Sequence, residues 1–202
     1  MRIIVAACVA SLSFATVLAG LKTTSTWSAP EHATRPYAKV MALAKIEEDQ
    51  NRRVVEDQLV AAFGKQKVAA VPAYAHMKPE DLATPEAARK KAEEMGVEAA
   101  LVITVTERGT MAKPPPSVSV GVGIPVHVGM FSVFVGTSVP VGGGAPQTIP
   151  VVSLKAEFYE KDSVQPIWSA TYAGDLGAGI ESAARDLSKQ AMKQLKKAKV
   201  LK

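Results

Sequence analysis

The chain has 202 residues, is 48% hydrophobic, carries a net charge of +5 and contains a single cysteine. This length supports one domain with a sizeable core, and because the one thiol, Cys8, lies in the apolar N-terminal run, the rest of the chain is left without a disulfide, a thiolate ligand or a thiol nucleophile. An aromatic content of 5%, with much of the positive excess near the C-terminus, argues against a base-stacking nucleic-acid surface, and no nucleic-acid partner is expected.

Met1-Arg2 followed by the apolar or small residues Ile3 to Val17, with no acidic residue before Glu31, has the layout of a secretory signal over residues 1–19. Val17-Leu18-Ala19 supplies a small residue before the cut, so cleavage is expected between Ala19 and Gly20. Leu18-Ala19-Gly20 also opens a lipoprotein processing site, which requires cysteine next; Leu21 stands there, and a lipid anchor is not expected. The protein is therefore read as periplasmic or secreted.

Residues 20–36, rich in Thr and Ser, read as an extended N-terminal segment before a single domain over 37–202. Tyr37 to Ile46 reads as a first strand, with Val40, Ala42 and Ala44 alternating. Asp49 or Asn51 then caps a helix with the apolar stripe Val55, Leu59, Ala62 and Phe63, stopped by Gly64. On this helix Arg52-Arg53 with Glu56 and Asp57 read as a solvated face of pairs spaced three and four residues apart. Lys67 to Tyr74 is a short strand bounded by Pro72. Thr84-Pro85-Glu86 starts a second helix that runs to Met95 and ends at Gly96. Val97 to Glu107 is rich in β-formers and reads as a central strand of a βαβαβ arrangement.

Between Lys113 and Lys155 there is no charged residue. Val118, Val120, Val122, Ile124, Val126 and Val128 occupy every second position, with Ser, Gly, Pro and His127 between them. A two-residue turn at Gly129-Met130 sets Val128 opposite Phe131, Val126 opposite Val133, Ile124 opposite Val135, Val122 opposite Thr137, Val120 opposite Val139 and Val118 opposite Val141. The other face, with Gly123 opposite Gly136 and Gly121 opposite Ser138, is thin. Pro125 and Pro140 each remove a ladder donor. This Gly/Val-rich hairpin, inserted at about 114–150, is the candidate interaction surface through Val118, Val120, Val122, Ile124, Val126 and Val128 together with Phe131, Val133 and Val135. Its valine face has four readings: burial on its own domain, mobility, docking on a partner or another copy, and membrane insertion, for which arms of about 11 residues are long enough.

Val151 to Lys161 and Gln165 to Gly174 read as a second hairpin, and Ile180 to Lys199 as a last helix with Ala183, Ala184, Leu187, Ala191 and Leu195 inward. Arg185, Lys189, Lys193, Lys196, Lys197 and Lys199 make that helix basic, a solvated face or a contact for anionic lipid. The expected fold class is α/β (α+β), a mixed sheet with helices packed on it in the order β-α-β-α-β-hairpin-β-β-α. Trp27 and Trp168 are both expected in the core.

No chemistry is written in motifs. His32, His76 and His127 lack metal spacing, and neither Gly121-Val122-Gly123 nor Gly142-Gly143-Gly144 has the context of a phosphate loop. No catalytic, metal or cofactor site is expected, and the reading is a non-enzymatic exported envelope protein acting by binding or assembly. Its partner is expected to be an envelope protein or another copy, with membrane contact through the hairpin or the basic helix. An oligomeric pore- or barrel-forming subunit is the alternative, and an envelope hydrolase a disfavoured third.

Thr24-Ser25-Thr26-Trp27-Ser28-Ala29-Pro30, the Val40 strand leading to Arg53 and Glu56, Gly96-Val97-Glu98-Ala99-Ala100-Leu101-Val102, Phe158-Tyr159 and Ile167-Trp168-Ser169-Ala170 carry a resemblance. They resemble an uncharacterised family of bacterial envelope proteins, mostly lipoproteins, with a domain of unknown function. The order of elements is also similar to the periplasmic α/β domains of the curli secretion channel and of TolB. In the curli channel, hairpins inserted in such a domain form an oligomeric barrel, which is what that resemblance implies for the alternative above.

Overall fold

The computed structural model describes residues 20–30, 34–113, 118–128, 131–141 and 147–201, and from 113 to 147 it describes the backbone alone. The signal at 1–19, Ala19, His32 and the turn Gly129-Met130 lie outside the described residues.

A mixed six-stranded sheet carries three helices. In chain order the strands are β1 (Lys22–Ser28), β2 (Lys39–Lys45), β3 (Ala69–Pro72), β4 (Ala99–Lys113), β5 (Val118–Val128), β6 (Phe131–Val141), β7 (Gln147–Glu160) and β8 (Trp168–Asp175). Six of them form the main sheet in the order β1-β8-β7-β4-β2-β3, while among the described residues β5 and β6 pair only with each other. The helices are α1 (Asp49–Lys65), α2 (Pro85–Glu94) and α3 (Ile180–Lys197). The expected α+β class and the order of elements from residue 37 onward are what the structure shows.

β2 pairs in parallel with both β3 and β4. Val40 to Ala44 are buried on both faces, as a strand in the middle of a parallel unit requires. On one face Val40, Ala42, Leu101, Ile103, Phe158, Trp168 and Tyr172 meet Val55, Leu59 and Phe63 of α1 and Ala184, Leu187, Ala191 and Leu195 of α3. Burying each large side chain contributes about 1.5–3 kcal/mol. On the other face Met41, Leu43 and Val97 pack with Ala92 of α2, Ala73 and Met77, a smaller cluster. The two helices following β2 and β3 thus cover opposite faces of the sheet.

The second helix begins as its sequence dictates. Thr84 in extended conformation accepts the Ala87 N–H on its side chain, Pro85 fills the first position, and Gly96 with φ +67° leaves the helix. At α1 the expected ends are corrected: Glu48, not Asp49 or Asn51, stands at the cap position and its side chain makes no capping bond, and the helix runs through Gly64 to Lys65.

Three further placements differ from expectation. Residues 22–28 form an edge strand that pairs antiparallel with β8, inside the same sheet as the domain expected to start at residue 37. Trp27 on that edge is 51% exposed, whereas Trp168 is 0% exposed; a core role holds for the second tryptophan and is corrected for the first. Glu56 is fully buried, so the solvated charge face expected on α1 is corrected as well. Arg52 pairs with Asp49, the Arg53 guanidinium sits over the Tyr74 ring, and Asp57 accepts the Tyr74 hydroxyl.

Candidate functional site

The antiparallel pair β4–β7 runs the full length of both strands, from Ala99 opposite Glu160 to Lys113 opposite Gln147. β8 accompanies β7 only as far as Val151, so beyond Gly109 and Val151 a two-stranded ribbon continues alone. A bulge marks its base: Val105 pairs with Leu154 but Glu107 with Ser153, leaving Thr106 as an extra residue. Beyond it, the positions of β4 exchange faces relative to the core portion. Thr106 Oγ1 donates to the Ser153 carbonyl across this point. Arg108, just past the bulge, donates from two nitrogens to the two Glu48 oxygens at 3.0 and 3.3 Å, tying the ribbon to the start of α1. That bond holds the Glu48 carboxyl below its ordinary pKa.

The uncharged segment lies between these two ribbon strands in sequence, and it folds in the predicted register. β5 and β6 pair antiparallel with Val128 opposite Phe131, Val126 opposite Val133, Ile124 opposite Val135 and Val118 opposite Val141. On the alternate positions Gly123 meets Gly136, and Pro125 meets Phe134. Together they make a separate two-stranded sheet. All nine residues expected to form the interaction surface therefore share one hairpin, and alternation assigns positions 118, 120, 122, 124, 126 and 128 and positions 131, 133 and 135 to a common face.

A second feature was not legible in the sequence. On the sheet face that carries α2, a cavity of about 720 Å³ runs from the carboxyl end of β2 to the turn after β7. Met41, Leu43, Ala100, Val102, Ala88 and Ala92 give it apolar walls, and Val164 stands exposed at one end. Its three lining carboxylates already have cations: Glu157 pairs with Lys155 at 2.7 Å, Glu160 with Arg35 at 2.9 Å, and Glu47 approaches Arg108 at 4.0 Å. Glu160 also accepts the Tyr37 hydroxyl at 2.7 Å, and burial together with that bond pushes the Tyr37 pKa up. Burial first, then Glu157, pushes the Tyr159 hydroxyl on the cavity wall up to about 12.

Glu56 lies fully buried behind Ala44, which lines the cavity. Its Oε1 accepts the Ala44 N–H at 3.0 Å and its Oε2 the Tyr74 N–H at 2.8 Å, so one carboxylate fastens the end of β2 to the turn after β3. Burial raises its pKa while those backbone bonds and Arg52 pull it down, and the net shift is upward. Neither partner is recognisable from sequence spacing, which is why Glu56 reads there as a surface residue.

Gln190 of α3 holds the start of β1. Its Oε1 accepts from both the Thr23 N–H and the Thr23 hydroxyl, and its Nε2 donates to the Leu21 carbonyl. The six basic residues named on the last helix are all exposed. Among the described residues no group of His, Cys, Asp and Glu is arranged to hold a metal, and no helix is long and apolar enough to cross a membrane.

No family model matches the chain, and no curated protein matches it. Among solved structures the chain is similar to a single-substitution variant of a PelC dodecamer from Paraburkholderia phytofirmans, at 16% identity and a TM-score of 0.47, covering 86% of this chain and 98% of that one. A second PelC dodecamer from the same organism gives 14% identity and a TM-score of 0.48, covering 87% and 96%. Lipoprotein GNA1162 from Neisseria meningitidis gives 15% identity and 0.42, covering 79% and 99%.

Proposed function

We propose that this is a non-enzymatic exported envelope protein that acts by assembly, and that the β5–β6 hairpin is the surface through which it assembles. The observation that supports this reading is the hairpin's register, which gathers valine and isoleucine on one face of a sheet only two strands wide. An isolated two-stranded hairpin is marginally stable in water, and a face of this kind gains stability when another surface covers it. The absence of charge from residue 114 to 154 removes the usual protection of exposed strands against pairing with another chain. Export rests on the layout of residues 1–19.

The test places charge on the valine face. Val122→Glu with Val133→Glu leaves the backbone pairing in place and should shift the chain to a lower mass by light scattering at equal concentration. Ser119→Glu with Ser138→Glu, on the thin face, should not. If both pairs of substitutions leave the mass unchanged, the hairpin is not the assembly surface.

The pore- or barrel-forming alternative is supported by the 11-residue length of each arm, which suits a tilted crossing of a bilayer. Release of a dye from liposomes by the intact chain, abolished by the same valine-face substitutions, distinguishes it from assembly in solution.

A further inference from the structure

We propose that the cavity on the α2 face binds a single-chain amphiphile with an acidic head, its acyl chain lying along the apolar walls and its head at the carboxyl end of β2. Three observations carry this. The cavity lies where the chain reverses direction across the sheet: β2 has β3 on one side and β4 on the other, and the intervening helices cover opposite faces. The crevice at the carboxyl ends of such strands is the general ligand position of open α/β sheets. Its volume of about 720 Å³ falls in the range of small-molecule sites, and its walls are mainly apolar. The charge on the walls is unbalanced. All three carboxylates are engaged by cations, while Lys45, Arg89 and Lys161 have no ion pair or side-chain hydrogen bond among the described residues. At the β2 end Arg52 gives one nitrogen to Asp49, and its buried Nε has no hydrogen-bond partner among the described residues.

The test uses the chain starting at Gly20, with dodecanoate below its micellar concentration as probe and dodecanol as the uncharged control, read by titration calorimetry. Saturable binding of dodecanoate at least tenfold tighter than dodecanol is expected, weakened roughly tenfold or more by Lys45→Glu and abolished by Ala88→Trp, which fills the cavity. Lys45 is exposed, so its variant keeps the test valid should Ala88→Trp fail to fold. Equal binding of acid and alcohol, unchanged binding in Lys45→Glu, or no saturable binding overturns the proposal. Capture of an acidic apolar peptide with no binding of dodecanoate also overturns it.

A different observation supports a second inference, which rests on the export reading. Gly20 is held in place: a methyl group on Gly174 would collide with the Gly20 carbonyl oxygen, and Leu21 is 3% exposed. A methyl group on Gly20 itself would lie 2.9 Å from Asp186 Oδ2. The Gly20 nitrogen shares the same Cα and is roughly 2.5 Å from that methyl position, hence within about 5.4 Å of the carboxylate. We infer that signal removal creates an ion pair between Asp186 and the new α-ammonium group of Gly20. Hydrolysis adds hydroxide to the Ala19 carbonyl carbon and a proton to the Gly20 nitrogen, and the carboxylic acid so formed gives its proton to the new amine near neutral pH, so the α-ammonium cation exists only in the processed chain. Other charges near this point in the chain are Lys22 on β1, Asp175 on β8, which accepts the Gly177 N–H, and Arg185 and Lys189 beside Asp186 on α3.

In protein made with Gly20 as its first residue, NMR titration should give an α-amino pKa above the ordinary value of about 8.0, returning to it in Asp186→Asn. An ordinary value in both proteins overturns the ion pair. The N-terminus of protein recovered from cells judges the export reading separately.

Discussion

Replacing Glu56 by Gln perturbs one atom group in a fully buried position. The carboxylate accepts two backbone N–H bonds, one per oxygen, at 3.0 and 2.8 Å. Glutamine retains one acceptor and turns an NH2 group toward the other N–H, leaving a buried donor unsatisfied at a cost of about 1–3 kcal/mol. For a domain of this size that is a fall in Tm of roughly 2–12 °C.

The pH dependence of this loss has a definite sign. Because the folded pKa of Glu56 lies above its ordinary value of 4.5, the folded state holds the proton more tightly than the unfolded state. The associated stability is fully present below pH 4.5 and is lost as pH rises through the folded pKa. Glutamine does not titrate, so the stability gap between the parent chain and Glu56→Gln should be larger at pH 4 than at pH 8 in urea unfolding. Equal stability of the two proteins at both values would refute the role of the two bonds. A gap that widens as pH rises would show that the site favours the ionised carboxylate, contrary to the upward net shift that burial imposes.

Trp168→Ala should cost about 3–5 kcal/mol by denaturant unfolding, while Trp27→Ala on the open edge stays within about 0.5 kcal/mol. Removing the cap with Thr84→Ala should cost about 0.5–2 kcal/mol by the same measurement and leave the far-ultraviolet spectrum nearly unchanged. Gly174→Ala forces a methyl against the Gly20 carbonyl and should destabilise by about 1–3 kcal/mol. Hydrogen exchange should then be faster in residues 21–28 of that variant, and unchanged exchange there would contradict the close packing of β1 on β8.

The parts of the fold that were legible in the sequence are those whose signal is local. Thr84-Pro85-Glu86 and Gly96 bracket α2 because a cap, a first-position proline and a left-handed residue each answer a need of the helix ends. The hairpin register follows from alternation plus a two-residue turn, and each predicted pair from Val118–Val141 to Val128–Phe131 is present. What escaped depends on contacts distant in sequence. The strand Lys22–Ser28 is polar and exposed along most of its length, so it shows no alternation, and only its pairing with β8 defines it. Glu56 satisfies backbone donors 12 and 18 residues away, and an acidic residue on a helix gives no sign of that. The cavity follows from α1 and α2 covering opposite faces, which the βαβαβ order implies only once the strand order β3-β2-β4 is known. The bulge at Thr106 has no sequence signal that we recognise.

The central claim is that the uncharged hairpin brings chains together. Its most direct test is the mass in solution, by light scattering, of the chain from Gly20 onward and of the same chain lacking residues 115–144, over a range of concentrations. A concentration-dependent mass above that of one chain is expected for the first, and the mass of a single folded chain at every concentration for the second. The same assembled mass with and without the hairpin, or a single-chain mass for both, would contradict it.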